Sequence, residues 1–141
     1  MIRAYPIDAR AAADIVRIQD ILFFVGGNLA TDTSVKDLNI RLGVSEEDLL
    51  CLEKAIDRMD EELPPLTSFV LPGGDQAVSF CHIARTVCRR AERRIMDMSA
   101  AYEVDQLIIR YINRLSDYLF VLSRKVAHDA GVEEIKWEPH K

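Results

Sequence analysis

Apolar residues return every three or four positions in four separate stretches of this chain, and that spacing predicts four helices. After Tyr5-Pro6, Ile15, Ile18, Leu22, Val25 and Leu29 fall on one face of a helix running to about Ala30. Gly26 and Gly27 cost that helix stability and predict a close helix contact. Residues 31–43, TDTSVKDLNIRLG, lose the period and read as a loop with room for a short turn. Ser45, followed by Glu46, Glu47 and Asp48, predicts an N-cap ahead of Leu49, Leu52, Ile56, Met59 and Leu63. Pro64 and Pro65 end that helix. The connector LPPLTSFVLPGG is too rich in proline and glycine for a central strand, and Asp75 is placed to cap the next helix.

The third helix, about Asp75 to Ser99, carries a seam of Ala77, Phe80, Ala84, Cys88, Ala91, Ile95 and Met98. Small residues in its middle would let a neighbouring helix approach closely. The fourth, about Val104 to Asp129, buries Ile108, Ile112, Leu115, Leu119, Leu122 and Val126. No stretch of useful length alternates apolar with polar residues, and no repeat or low-complexity tract interrupts the pattern. The expected fold is all-α, an antiparallel helical bundle.

Composition narrows the picture. A chain of 141 residues, 49% apolar and 29% charged, fits one globular domain spanning 1–141. A net charge of −5 argues against a general nucleic-acid or anionic-lipid binder. Cys51, Cys81 and Cys88 are odd in number and form no C-x-x-C pair, which fits a reduced, cytoplasmic interior. No apolar run reaches the ~20 residues that span a bilayer, and MIRAYPIDAR has no signal-peptide core. His82, His128 and His140 have no partners at metal-ligand spacing, and no metal site is expected. The acid pairs Glu46-Glu47 and Glu61-Glu62 read as solvated faces and helix ends, and Trp137 as an anchor for the C-terminal tail.

Against this acidic background, RTVCRRAERR (85–94) holds five arginines and one glutamate. His82, Arg85, Arg89 and Glu92 share an arc of roughly 80° beside the seam of the third helix. On the fourth helix, Asn113, Asp117, Phe120 and Arg124 share roughly 60°, away from the main apolar face. A phenylalanine among polar residues suggests that this face meets a subunit, a ligand or both. The plainer reading is a solvated helix laced with Arg–Glu pairs at i+3 and i+4. Spacing alone leaves both open.

The residues themselves add more. FVLPGGDQAVSFCHIARTVCRRAER (69–93) and YINRLSDYLFVLSR (111–124) resemble the two signature segments of the PduO-type ATP:cob(I)alamin adenosyltransferases. IQDILFFVGGNLAT (18–31) and LEKAIDRMDEELPPL (52–66) are more loosely similar to that family's second and third helices, so the likeness runs from about residue 14 to 137. The resemblance implies a ferritin-like bundle, five helices in the full family domain and four here, assembled as a homotrimer with active sites between subunits. It implies transfer of the 5′-deoxyadenosyl group of ATP to cob(I)alamin with release of triphosphate, with ATP taken up together with magnesium and cobalamin as the second substrate.

By the matched motifs, Arg85 and Arg89 would bind the polyphosphate and carry catalysis. Glu92 would orient an arginine or the nucleotide, and Asn113 would hold the nucleotide from the fourth helix. Phe69 and Phe120 would line the corrin and displace its lower axial base, while Arg90, Arg93 and Arg94 would serve salt bridges at or near an interface. Partners implied are a corrinoid reductase and an adenosylcobalamin-dependent enzyme, with no nucleic acid and no membrane. The family's phosphate-wrapping T-R-T-G-D-x-G-x-T loop and the helix containing E-V-D-E-L-N have no counterpart here, and residues 1–13 contain no glycine. The chain is therefore expected to be an N-terminally shortened form or fragment, with weak or no transfer on its own. A non-catalytic corrinoid-binding or assembly module of the same fold is the alternative.

Overall fold

The structure is a computed structural model and describes residues 9–30, 44–64 and 76–129. Each periodic stretch becomes a helix: α1 (Ala9–Ala30), α2 (Glu46–Glu61), α3 (Gln76–Ser99) and α4 (Gln106–Asp129). The described residues form no strand. The loop expected over 31–43, most of the Pro/Gly connector, the Asp75 cap and Trp137 lie outside them.

Side-chain pairs fix the directions. Glu92 meets Asn113 and Arg85 meets Phe120, so α3 and α4 run antiparallel. Lys125 of α4 pairs with Glu62 at the end of α2, while Asp48 and Cys51 near its start border the same small cleft as Tyr111. Helices α2 and α4 therefore run parallel. Asp14 pairs with Arg58 and Arg17 with Asp48, so α1 opposes α2. Direction alternates along the chain, as in an up-down bundle.

The α2 start is legible residue by residue. Ser45 is extended (φ −92°, ψ 163°), and its hydroxyl accepts from the Asp48 amide at 3.2 Å while the Asp48 carboxylate accepts from the Ser45 amide at 2.9 Å. This reciprocal box satisfies two amides that the helix cannot. Asp48 also receives Arg17 Nη2 at 3.2 Å, which ties the cap to α1. Ser45→Ala is expected to cost about 1 kcal/mol and to lower Tm by roughly 2–6 °C with native helix content retained. A melt followed by circular dichroism checks it.

Helix α4 is the centre of the bundle. Its predicted seam is buried throughout, and Tyr111, Ser116, Tyr118, Val121, Ser123, Arg124 and Ala127 are buried as well. Tyr118 is fully enclosed, with its hydroxyl 3.4 Å from Asp14 Oδ2. Arg124, expected on an outer face, is 5% exposed and donates from Nη2 to the Pro64 carbonyl at 2.7 Å. The chain wraps α4 on more than one side, so a face that looks polar in sequence is covered.

Elsewhere the seams turn slightly. In α1 the buried stripe is Ala11, Ile18, Ile21 and Val25, leaving Leu22 at the surface. In α3, Cys88 and Ile95 hold their places, but Ala91 is exposed and Val78, Cys81 and His82 are buried instead. The close contact expected at the glycine pair is not made at Gly26, where a Cβ would meet nothing within 4 Å. Among the described residues, no helix is long and apolar enough to cross a membrane.

Candidate functional site

The α3–α4 seam brings most of the predicted site residues together. Asn113 Nδ2 donates to Glu92 Oε2 at 2.8 Å. Seven residues away on both helices, the Arg85 guanidinium carbon lies 5.0 Å from the centre of the Phe120 ring. Seven residues span about 10.5 Å of helix, so two rungs frame a floor of that length with Arg89 between them on α3. The register follows from the short α3–α4 connection. Asp105 Oδ1 accepts from the Leu107 amide at 2.9 Å at the start of α4, and Cys88 Sγ lies 3.3 Å from the Ile112 carbonyl oxygen it can donate to.

Electrostatics single out the arginines. Among the described residues none of Arg85, Arg89, Arg90, Arg93 and Arg94 is ion-paired, and Glu92, the only acid in that run, is held by an amide. Among the described residues, the Arg–Glu lacing of a plain solvated helix is absent from this segment. Arg85 is half-buried with its charge over the negative face of an aromatic ring, a contact that orients the guanidinium plane without neutralising it. Arg89 is exposed. Unpaired guanidinium groups offering planar donor forks suit phosphate or carboxylate oxygens.

Buried groups back this surface. His82 is 7% exposed, and burial, with the Arg85 charge second, holds its imidazole below the ordinary value of 6.5. The ring is therefore neutral at pH 7. Burial pushes the Cys81 thiol up to about 12. Burial and then the Glu92 carboxylate raise Cys88 to about 11. Both thiols remain protonated and unreactive at neutral pH, and neither can serve as a nucleophile.

Phe69 lies outside the described residues. Sequence reasoning placed Arg85 and Phe120 on different parts of the site, but the structure stacks one on the other. The same reasoning set His82 on the arc of Arg85, as a residue lining the site or a satisfied helix histidine, and the structure buries it there. One signal was available: Arg85 to Glu92 and Asn113 to Phe120 are equally spaced, as paired rungs between antiparallel helices must be. The open apolar surface expected on α4 around Phe120 is likewise elsewhere. Phe23 on α1 is 80% exposed, and Ile83, Val87 and Met96 on α3 are about half exposed.

Known proteins are similar to this chain in sequence and in backbone. The family model for cobalamin adenosyltransferase matches residues 1–126. The corrinoid adenosyltransferase of Bacillus subtilis strain 168 is 41% identical over 126 residues, covering 89% of this chain and 63% of its own length. The human corrinoid adenosyltransferase MMAB is 40% identical over 125 residues, covering 87% of this chain and 50% of its own. The chain thus spans half to under two thirds of these relatives. Among solved structures, a phenylalanine-to-alanine variant of the PduO-type ATP:corrinoid adenosyltransferase of Lactobacillus reuteri, complexed with cobalamin and ATP, superposes with a TM-score of 0.87. It is 29% identical, covering 98% of this chain and 77% of that one. An arginine-to-lysine variant of the Lactobacillus reuteri enzyme, complexed with ATP, gives 0.83 at the same identity. Matched in sequence across nearly all of its described helices and in backbone along the same bundle, the chain belongs to the cobalamin adenosyltransferase family.

Proposed function

We propose that the chain is a corrinoid adenosyltransferase, or the helical core of one, which moves the 5′-deoxyadenosyl group of ATP to cob(I)alamin. The cobalt electron pair attacks C5′, the C5′–O bond breaks, and its electrons leave with triphosphate. The observation that carries this reading is the two-rung floor between α3 and α4, where unpaired arginines stand beside the Glu92–Asn113 bond. Because cobalt(I) is itself the nucleophile, the protein must align C5′ with cobalt and stabilise the charge that gathers on the leaving group.

In this reading Arg85 and Arg89 bind the polyphosphate. Glu92 fixes the Asn113 amide so that its remaining valences face the nucleotide. Phe120 fixes the Arg85 plane and, with Phe69, forms the apolar wall of the corrin side. Magnesium enters with ATP as part of the substrate. The Lactobacillus reuteri structure's two bound ligands support both substrate classes. The exposed Phe23, Ile83 and Val87 support a homotrimer whose sites lie between subunits, since large apolar side chains left in water mark contact surfaces. One domain spanning the chain, a cytoplasmic setting, a reductase that supplies cob(I)alamin and an enzyme that uses the product complete the proposal.

The test is anaerobic incubation with ATP, magnesium and cob(I)alamin. The expected result is a weak absorbance change from cob(I)alamin to adenosylcobalamin, matched by triphosphate release, that rises strongly when a family-type T-R-T-G-D-x-G-x-T segment and the helix after it are added ahead of residue 1. Corrinoid binding with no such change even after that addition would instead mark a non-catalytic corrinoid-binding or assembly module.

A further inference from the structure

Tyr111 is 2% exposed, yet among the described residues its hydroxyl makes no hydrogen bond. Tyr118, buried as deeply two turns further along α4, reaches Asp14 Oδ2 at 3.4 Å. A tyrosine hydroxyl taken out of bulk water normally finds a partner. The Tyr111 phenol faces a small cleft between α1, α2 and α4, bordered by Arg17, Asp48 and Cys51 and by the apolar Leu52 and Ala55. Electrostatics place the hydroxyl end there. Burial and then the Asp48 carboxylate raise the phenol above its ordinary value, with Arg17 opposing and Cys51 adding, and all three of these side chains border the cleft.

Size and chemistry limit what the cleft takes. Its volume is about 30 Å3, above the roughly 10–15 Å3 that one water needs and too little for a substrate-sized molecule. The described residues hold no group of side chains suited to a metal ion. Both carboxylates at the cleft already receive a guanidinium, Asp48 from Arg17 and Asp14 from Arg58. A neutral hydrogen-bonding molecule the size of water is what remains.

We propose that this cleft is a binding site for one ordered water, which accepts from the Tyr111 hydroxyl and donates to Asp48, tying α4 to α1 and α2 on the side of α4 away from the α3–α4 site. Asp48 accepts Arg17 Nη2 at 3.2 Å and the Ser45 amide at 2.9 Å. A carboxylate offers about four acceptor positions, so these two bonds do not exhaust it. Cys51 Sγ and the Arg17 guanidinium give the water a third and a fourth polar neighbour, within the two to four such waters require. The α2 cap, the docking of α1 and the middle of α4 then meet at Asp48. Tyr111 and Asn113 project about 160° apart around α4, so nothing in this site depends on which reaction the α3–α4 face carries.

The test uses the whole chain and has two arms. In the unaltered protein, nuclear Overhauser contacts from water to the Tyr111 ring protons should carry the sign of a long-lived bound water, not that of surface hydration. Tyr111→Phe keeps the ring and removes the hydroxyl. It should lose the bound-water contacts and speed amide exchange over residues 14–18 of α1 about two- to tenfold, the worth of one hydrogen bond, with exchange in the middle of α3 unchanged. A Tyr111 hydroxyl bonded directly to a carboxylate, water contacts of surface character only, or α1 exchange identical in the two proteins overturns the proposal. Should Tyr111→Phe fail to fold, the contacts measured in the unaltered protein decide.

Discussion

In a chain carrying the family's N-terminal segment ahead of residue 1, replacing Arg89 with alanine is expected to lower ATP-dependent adenosyl transfer about ten- to a hundredfold, the equivalent of roughly 1.5–3 kcal/mol for one charge-assisted contact to phosphate. Folding should be nearly untouched. Arg89 is exposed and makes no ion pair among the described residues, so its removal opens no cavity and leaves no partner stranded. Arg94→Ala is the matched control. That residue is also exposed and makes no ion pair among the described residues, but lies roughly 140° around α3 from Arg89, away from the floor between the two rungs. Steady-state kinetics alongside thermal melts separate the outcomes. Equal losses from the two substitutions would assign the arginine run to general charge rather than to a phosphate site.

How much of this was legible without coordinates depended on how local each feature was. The seam of α4 could be read whole, because Ile108, Ile112, Leu115, Leu119, Leu122 and Val126 never break the three-and-four step and all are buried. The Ser45 cap was equally readable, because its partner Asp48 is only three residues away. Burial of Tyr118, Ser123 and Arg124 was not, since it depends on α1 and the end of α2 closing over α4 from distant parts of the chain.

The site divides in the same way. Arg85, Arg89 and Glu92 share a face by helix geometry alone, and Asn113 and Phe120 do so on α4. Which residue of one face meets which of the other is a matter of register, and register is set by the turn at 100–105 and the packing of Cys88 on Ile112. Hence the sequence placed both halves of the site, while the stacking of Arg85 on Phe120 and the enclosure of His82 beside it required the assembled pair of helices.

The largest stability effect is expected from Leu122→Ala. Leu122 is fully buried, as is Tyr118 one turn earlier on α4, the helix that both α2 and α3 pack against. Deleting its branched end removes about 2–5 kcal/mol, the transfer free energy of the lost groups plus the cost of a cavity that α2 and α3 cannot both move to fill. Leu122 projects into the core two residues beyond Phe120, so the loss should act on the population of folded protein and not on the site directly. Denaturant melts should show the lower midpoint. Activity measured well below the transition should keep its KM for ATP and fall only with the folded fraction, the reverse of the pattern expected for Arg89→Ala. A Leu122→Ala protein with an unchanged midpoint would show that α4 is not the central helix of the bundle. If instead its midpoint fell and KM for ATP rose several-fold at low temperature, the register of α3 on α4 would be set by core packing as much as by the turn between them.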